Sequence, residues 1–157
     1  MSTRDANEKQ PLPGKAPGAN EGTSCLTGSG LGERTLQLLR QAGAPQRHLR
    51  ERTVHWQGDR STHAYLLLVG AARSVKQRSD GSGMPLADLV AGDWLGLSET
   101  MAGVPYLSDG LVASGAELLV VAQPALKRLA QEGDFASYLH RLLALAAIEA
   151  EETLSPA

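Results

Sequence analysis

The stretch Ala91-Gly92-Asp93-Trp94-Leu95-Gly96-Leu97-Ser98-Glu99 lies among short strand-like runs and decides the fold class of this chain. It opens with a Gly-Asp turn, and Gly96 follows three residues after Asp93. No Lys or Arg occurs anywhere between Ser79 and Leu126, so the stretch sits in a long segment without a cation. Both the fold and the ligand chemistry of the chain depend on this segment.

The residues around this stretch form short apolar or alternating runs that turn signals separate. Gly58-Asp59 and Asp80-Gly81 are the clearest turns, and the second is typical of a hairpin tip. Several short, evenly spaced strands are typical of a β-sandwich or a jelly roll. The predicted strands cover Thr53–Gln57, Ala64–Val69, Arg73–Arg78, Pro85–Val90, Leu111–Ser114 and Glu117–Ala122.

Helical patterns flank the strands on both sides. Apolar residues at helical spacing predict a helix over Leu31–Ala42, and Gly43 follows as its stop signal. After the strands, a short helix is predicted from Pro124 to Gln131, because proline suits the first helical position. Gly133 is expected to end that helix, and Asp134 to cap a longer one from Phe135 to about Leu154.

The apolar residues of the long terminal helix are spread too widely around it for packing on one surface only. We expect one face to pack on the strands and another on a second copy of the chain, which gives a homodimer. Packing on its own domain alone is the alternative. The residues expected to carry dimerisation are Phe135, Leu139, Leu142, Leu145 and Ile148.

Residues 1–29 are rich in Gly, Pro, Ser, Asn and Lys, and they hold too few apolar residues to offset the entropy cost of ordering. The sequence therefore predicts a disordered tail over residues 1–29 and one folded domain over residues 30–157. Cys25, the single cysteine, lies in this tail and cannot form an internal disulfide. No signal peptide or membrane-spanning stretch is present, and a cytoplasmic location is expected.

The order of helix, β-roll, short helix and long helix resembles the sensory domain of the Crp/Fnr regulators, over roughly Leu31–Leu154. The run Tyr65–Gly70 looks like the family's apolar strand that ends in glycine, and Asp80-Gly81 like its hairpin tip. The stretch Ala91–Gly96 is similar to the Gly-Asp-x-x-Gly turn that begins the family's phosphate-binding cassette. The resemblance implies a mainly β fold with flanking helices, a double-stranded β-helix (jelly roll) of the cyclic-nucleotide-binding type with a long C-terminal dimerisation helix. It also implies a role in signal transduction and transcription regulation.

The resemblance further implies where a cyclic nucleotide would bind, and both usual anchors are missing there. The family's ribose-binding glutamate is matched by Leu97, and its phosphate-binding arginine falls within Pro105–Asp109, which holds no cation. The cation-free segment carries six carboxylates, a formal charge of −6, and we expect its Asp109 to repel a phosphate. Binding of cyclic AMP in the usual way is therefore not expected. The residues expected to line a ligand site are Gly96, Leu97, Ser98, Glu99, Tyr106 and Ser108.

Two alternatives to this non-enzymatic sensor remain open from the sequence. One is a genuine cyclic-nucleotide sensor whose atypical pocket uses backbone donors and Glu99. The other is a scaffold that binds only protein. In either case the expected partner is a small effector or a protein, and no membrane binding is expected. Specific DNA binding by this chain alone is not expected either, because the winged helix-turn-helix of the family does not follow the long helix before Ala157.

Chemistry of other classes finds little support in the sequence. The four histidines form no HxH or HxxxH pair, so neither a metal nor a cofactor is expected. The sequence contains no GxSxG elbow and no Walker loop, and no catalytic residue is expected. Val54 and Trp56 are expected to face the buried side of their strand. His55 lies between them and should face the opposite side, which predicts an exposed imidazole.

Overall fold

In the computed structural model, residues 30–154 are described, with side chains up to residue 152. The predictions for residues 1–29, and for Cys25, lie outside the described residues. The four helices of this range are α1 (Glu33–Ala42), α2 (Leu97–Ala102), α3 (Gln123–Leu129) and α4 (Gly133–Leu154). Its strands are β1 (Ala44–His48), β2 (Arg52–His55), β3 (His63–Val69), β4 (Ala72–Gln77), β5 (Gly83–Leu89), β6 (Trp94–Leu95), β7 (Asp109–Val112) and β8 (Ala116–Ala122).

The strands form two antiparallel four-stranded sheets, ordered β1-β8-β3-β6 and β2-β7-β4-β5. Alternate residues of β3 and β8 point to opposite faces, so their apolar runs serve two cores. Leu66 and Leu119 pack towards the helices, whereas Leu67 and Leu118 pack between the sheets with Val112. The predicted jelly roll with flanking helices is confirmed.

β1 is absent from the predicted strands, because its sequence Ala-Pro-Gln-Arg-His has neither an apolar run nor alternation. It lies at the edge of the first sheet and pairs with β8 from Ala44 opposite Val120 to His48 opposite Ala116. Pro45 is tolerated there because an edge strand needs only part of its hydrogen bonds. Backbone pairing with a buried neighbour therefore makes this strand, not its own side chains.

The prediction that His55 is exposed is wrong. Its side chain is only 4% exposed, whereas Val54 and Trp56 are half-buried. The pairing of β2 with β7 shifts register between Thr53 and His55, and such a bulge changes which residue faces the interior. The imidazole consequently enters the space between the sheets.

The helix boundaries after β8 differ slightly from those predicted. Pro124 lies in the first turn of α3, as expected, but Gly133 begins α4 and does not end α3. Asp134 is consequently inside the first turn of α4, where a negative charge suits the helix dipole. It also forms an ion pair with Arg34 of α1 over 2.6 Å.

The two halves of α4 differ in burial. Phe135 and Leu139 are buried in the core between the helices and the first sheet, and Leu142 packs partly against it. Leu145 and Ile148 are 48% and 51% exposed. The predicted dimerisation set therefore divides into residues that the domain itself buries and residues open to a partner. None of the helices within residues 30–154 is long and apolar enough to cross a membrane.

Candidate functional site

A groove of about 400 Å³ lies between β5, the start of α2 and the exposed half of α4. We call it the cassette groove, because its floor is formed by the cassette, the segment Gly92–Asp109. Gly96, Leu97, Ser98 and Glu99 line it, as the sequence predicted for a ligand site. The size is at the lower end of the range for small-molecule sites, roughly 300–1,000 Å³.

The backbone of the cassette depends on Gly96, which has φ +72° and caps α2 in the left-handed conformation. Glycine enters this region without steric cost. A Cβ at this position would also lie 2.7 Å from Cε1 of Tyr106, which is too close for a real contact. Gly96 thus lets the start of α2 lie directly against the Tyr106 ring.

The charge of the cassette groove is negative. Four carboxylates line it, and no Lys, Arg or His does. Asp88 accepts from Arg73 Nε at 2.7 Å, which offsets one charge. The others are Asp93, Glu99 and Glu149. Apolar contact is supplied by α4, mainly through Leu142, Leu143 and Ala146.

Tyr106 and Ser108, which the sequence placed with the ligand residues, do not line the cassette groove. Their side chains are 4% and 8% exposed. The Tyr106 hydroxyl donates to the His63 carbonyl oxygen at 2.5 Å, and the Thr100 hydroxyl donates to the same oxygen at 3.0 Å. Tyr106 therefore anchors the end of the cassette to β3.

Asp109 also has a different place from the one expected. It is 1% exposed and accepts from the Gln57 backbone N–H at 2.7 Å and from Gln77 Nε2 at 2.6 Å. A buried carboxylate needs such donors to offset its lost hydration. The expectation that Asp109 would repel a phosphate is not supported by this position, since Asp109 is buried and is not among the residues lining the cassette groove.

His55 lies behind the cassette and was missed as a candidate residue. Its ring stacks on that of Tyr106, with centroids 4.1 Å apart and an interplanar angle of 16°. Within the described residues neither ring nitrogen has a partner of good hydrogen-bond geometry. Burial lowers the pKa of His55, and Glu99, Asp109 and the Ser108 backbone offset this only in part. The bulge in β2 that buries the ring has no signal in the sequence.

A side-chain hydrogen bond connects the start of the cassette to α4. Trp94 Nε1 donates to the Tyr138 hydroxyl oxygen at 2.7 Å. Burial raises the pKa of Tyr138 to about 12, so this hydroxyl stays protonated at neutral pH. A displacement of Trp94 would therefore strain or break a hydrogen bond to the long helix.

Within residues 30–154 no group of three or more His, Cys, Asp or Glu side chains is arranged to hold a metal ion. The acidic groups of the cassette groove are dispersed along its walls.

Solved structures with the same fold include several bacterial regulators. The catabolite activator protein of Thermus thermophilus superposes with a TM-score of 0.71 at 22% identity, over 80% of this chain and 59% of that one. A cyclic nucleotide-binding domain from Methylobacillus flagellatus gives 0.67 at 18%, over 85% and 80%. The c-di-GMP-responsive regulator CLP of Xanthomonas campestris gives 0.62 at 16%, over 78% and 59%. The chain thus spans about three fifths of the length of the activator and of CLP.

At these identities, the structures establish a shared fold and no more. No curated protein sequence matches the chain. The sequence model of the cyclic nucleotide-binding domain matches residues 45–133, which is more than half of the chain and contains β2 to α3 with the whole cassette. The chain belongs to the cyclic nucleotide-binding domain family.

Proposed function

We propose that this protein is a non-enzymatic regulatory domain. It does not bind a cyclic nucleotide in the way usual for the family, and it senses another effector. The observation that carries the proposal is the cassette groove, whose walls hold four carboxylates and no cation. A cyclic nucleotide brings a phosphate, which in a site of this kind needs a guanidinium or another strong donor.

The electrostatics argue against a phosphate at this position. Two like charges about 4 Å apart repel by about 4 kcal/mol at an effective dielectric constant near 20. Arg73 offsets the charge of Asp88, and no Lys, Arg or His stands among the residues lining the groove. An effector that is neutral or cationic, with an apolar part to contact Leu97 and Leu142, fits these walls better.

Calorimetric titration with cyclic AMP and cyclic GMP tests this proposal. We expect no binding up to millimolar nucleotide. Adenosine is the matched control, because it keeps the base and ribose without the charge. If repulsion is the reason, adenosine binds at least as well as cyclic AMP. Micromolar binding of a cyclic nucleotide would contradict the proposal and favour the alternative, a sensor that uses backbone donors and Glu99.

The expected mechanism passes a movement of the cassette to α4 through the Trp94–Tyr138 hydrogen bond. An effector shifts such an equilibrium only as far as it prefers one of the two states. The cassette groove contacts both elements, so a ligand in it can favour one relative position of the cassette and α4.

The exposed half of α4 is the expected partner surface. Leu143, Leu145 and Ile148 are between 42% and 51% exposed, and apolar residues exposed together on a helix are typical of association. Our proposal is a homodimer through this half of α4. A scaffold that binds another protein through the same surface is the alternative, and the oligomeric state separates the two.

Specific DNA binding is not proposed for residues 30–154. The long helix α4 carries one arginine, Arg141, against three glutamates. A helix that enters a DNA groove presents several cations to the phosphates, whereas α4 has Arg141 as its one Lys or Arg.

A further inference from the structure

A second recess, also of about 400 Å³, opens on a different part of the molecule from the cassette groove, and the two share no lining residue. We call it the arginine recess. Its walls include Arg47 and His48 of β1, Arg52 and Thr53 of β2, and Tyr65 of β3. β1 and β2 are edge strands of the two different sheets, so a ligand placed here would contact both sheets.

The charge of the arginine recess is the reverse of that of the cassette groove. Two arginines and a histidine line it, and no Asp or Glu does. Within the described residues neither Arg47 nor Arg52 forms an ion pair with a carboxylate, although Arg34 and Arg73 do. Glu117 lies opposite Arg47 in the β1–β8 pairing but is not bonded to it.

His48 and Tyr65 add no negative charge to the arginine recess. Burial lowers the pKa of His48, and the positive charge of the nearby Arg52 lowers it further, so both favour the neutral imidazole. Its Nε2 lies 3.2 Å from the Gln46 side-chain oxygen. Burial raises the pKa of Tyr65 to about 12, which keeps its hydroxyl protonated and uncharged. That hydroxyl donates to the Val54 carbonyl at 3.2 Å and holds β3 against β2.

We propose that the arginine recess binds a small oxyanion, a molecule carrying a phosphate or carboxylate group. Guanidinium groups bind such groups through paired, charge-assisted hydrogen bonds. Unpaired arginines that share a concave site gain these bonds without first breaking an ion pair. The site is independent of the proposed function, because it lies outside the cassette groove and needs no movement of the cassette.

Calorimetric titration of the protein with pyrophosphate, inorganic phosphate and citrate at low salt tests this proposal. We expect at least one of the three to bind, with an affinity that falls as salt is added. Tighter binding of pyrophosphate identifies a phosphate ligand, and tighter binding of citrate a carboxylate ligand. No binding of any probe up to millimolar concentration would overturn the proposal.

Two variants with the same charge change make the test specific to the recess. Arg52→Gln should weaken binding about tenfold or more, because it removes a charge-assisted contact. Arg50→Gln is the matched control, since Arg50 does not line the recess, and it should change the affinity by less than about twofold. Equal losses in the two variants would mean a diffuse surface charge effect and would overturn the site. Both positions are exposed, so both variants should fold.

A second measurement detects anion binding at the arginine recess by NMR and does not rely on calorimetry. A bound anion should raise the pKa of His48, which NMR titration of its ring protons follows, and the rise should be lost in Arg52→Gln. An unchanged His48 pKa at saturating ligand would place the anion elsewhere. Cyclic AMP is itself a phosphodiester, so the nucleotide titration is repeated with Arg52→Gln. An affinity for cyclic AMP that Arg52→Gln leaves unchanged belongs to the cassette groove, whereas an affinity that falls with that of pyrophosphate belongs to the arginine recess, and this keeps the two proposals separable.

Discussion

The imidazole of His55 joins β2 to the cassette through its stack on Tyr106 and has no hydrogen-bond partner of good geometry within residues 30–154. A buried polar group left unsatisfied costs roughly 1–3 kcal/mol. The ring faces Glu99 from α2, Asp109 from β7 and Tyr65 from β3, and none of these hydrogen-bonds to it. At the scale of single residues, we expect this side chain to make the free energy of unfolding depend on pH.

We expect the free energy of unfolding to fall as the pH is lowered below about 6.5, the pKa of an unperturbed histidine. The pKa of His55 in the folded state lies below that value because of burial, so the unfolded chain binds more protons in this window. Acid therefore favours unfolding, and the stability is fully present above the window. Urea unfolding at a series of pH values between 4.5 and 8, roughly the range of histidine titration, measures the effect.

His55→Phe tests the assignment. Phenylalanine keeps a ring against Tyr106 and removes both unpartnered nitrogens, so the variant should be as stable as the wild type or about 1 kcal/mol more stable at pH 7. Its stability should depend less on pH below 6.5 than that of the wild type. The pKa of His48 is lowered too, so His48→Gln is the control that measures how much of the pH dependence comes from His48. If the stability of His55→Phe depends on pH as that of the wild type does, His55 is not the group whose titration lowers the stability in acid.

Gly110→Ala should destabilise the fold through contact with the same ring. The added Cβ would lie 2.4 Å from Nε2 of His55, and the ring is held by its stack on Tyr106. Overpacking of this kind costs about 1–3 kcal/mol. Gly133→Ala is the control, because nothing lies within 4 Å of its Cβ. The cost in urea unfolding should shrink when His55→Ala is added, and a cost that stays the same would exclude the ring as its cause.

Among the elements, the cassette and α4 are connected by the Trp94–Tyr138 hydrogen bond. Tyr138→Phe should cost about 1–2 kcal/mol and leave the indole N–H without its acceptor. We expect faster amide exchange in β6 and α2, measured by hydrogen–deuterium exchange. Tyr65→Phe is the matched control, because it removes a hydroxyl that bonds to β2 and not to α4. Equal exchange of the cassette in the two variants would exclude this bond as the link.

At the level of the whole molecule, we expect the exposed half of α4 to decide the oligomeric state. The wild type should be a dimer at micromolar concentration by analytical ultracentrifugation. Leu145→Glu combined with Ile148→Glu should give a monomer, since charges would have to be buried in the interface. Leu107→Glu is the control, because Leu107 is an exposed leucine that does not belong to α4. A wild-type monomer at high micromolar concentration would contradict the dimer.

The lining residues of the two recesses carry charges of opposite sign. The segment from Asp80 to Ala125 carries all its formal charge as carboxylates, whereas Arg47, Arg50 and Arg52 lie within six residues around the β1–β2 turn. Acidic walls at one recess and basic walls at the other favour ligands of opposite charge. The nucleotide and pyrophosphate titrations described above compare these two recesses in one protein.

The sequence by itself determined the jelly roll, most of its strands, both closing helices and the lack of a cation in the cassette. These features follow from local signals, namely turn residues, apolar periodicity and charge, which a linear chain displays. Four of the six expected ligand residues, Gly96, Leu97, Ser98 and Glu99, do line one groove. Their role in binding stays a prediction.

Only the tertiary structure decided the rest. β1 forms because β8 supplies its hydrogen bonds, and His55 is buried because a register shift in the β2–β7 pairing turns it inward. Phe135 and Leu139 pack in their own domain while Ile148 remains open, although all three are apolar residues of one helix. Strand pairing and packing between distant segments fix these outcomes, and no local pattern encodes where a distant partner lies.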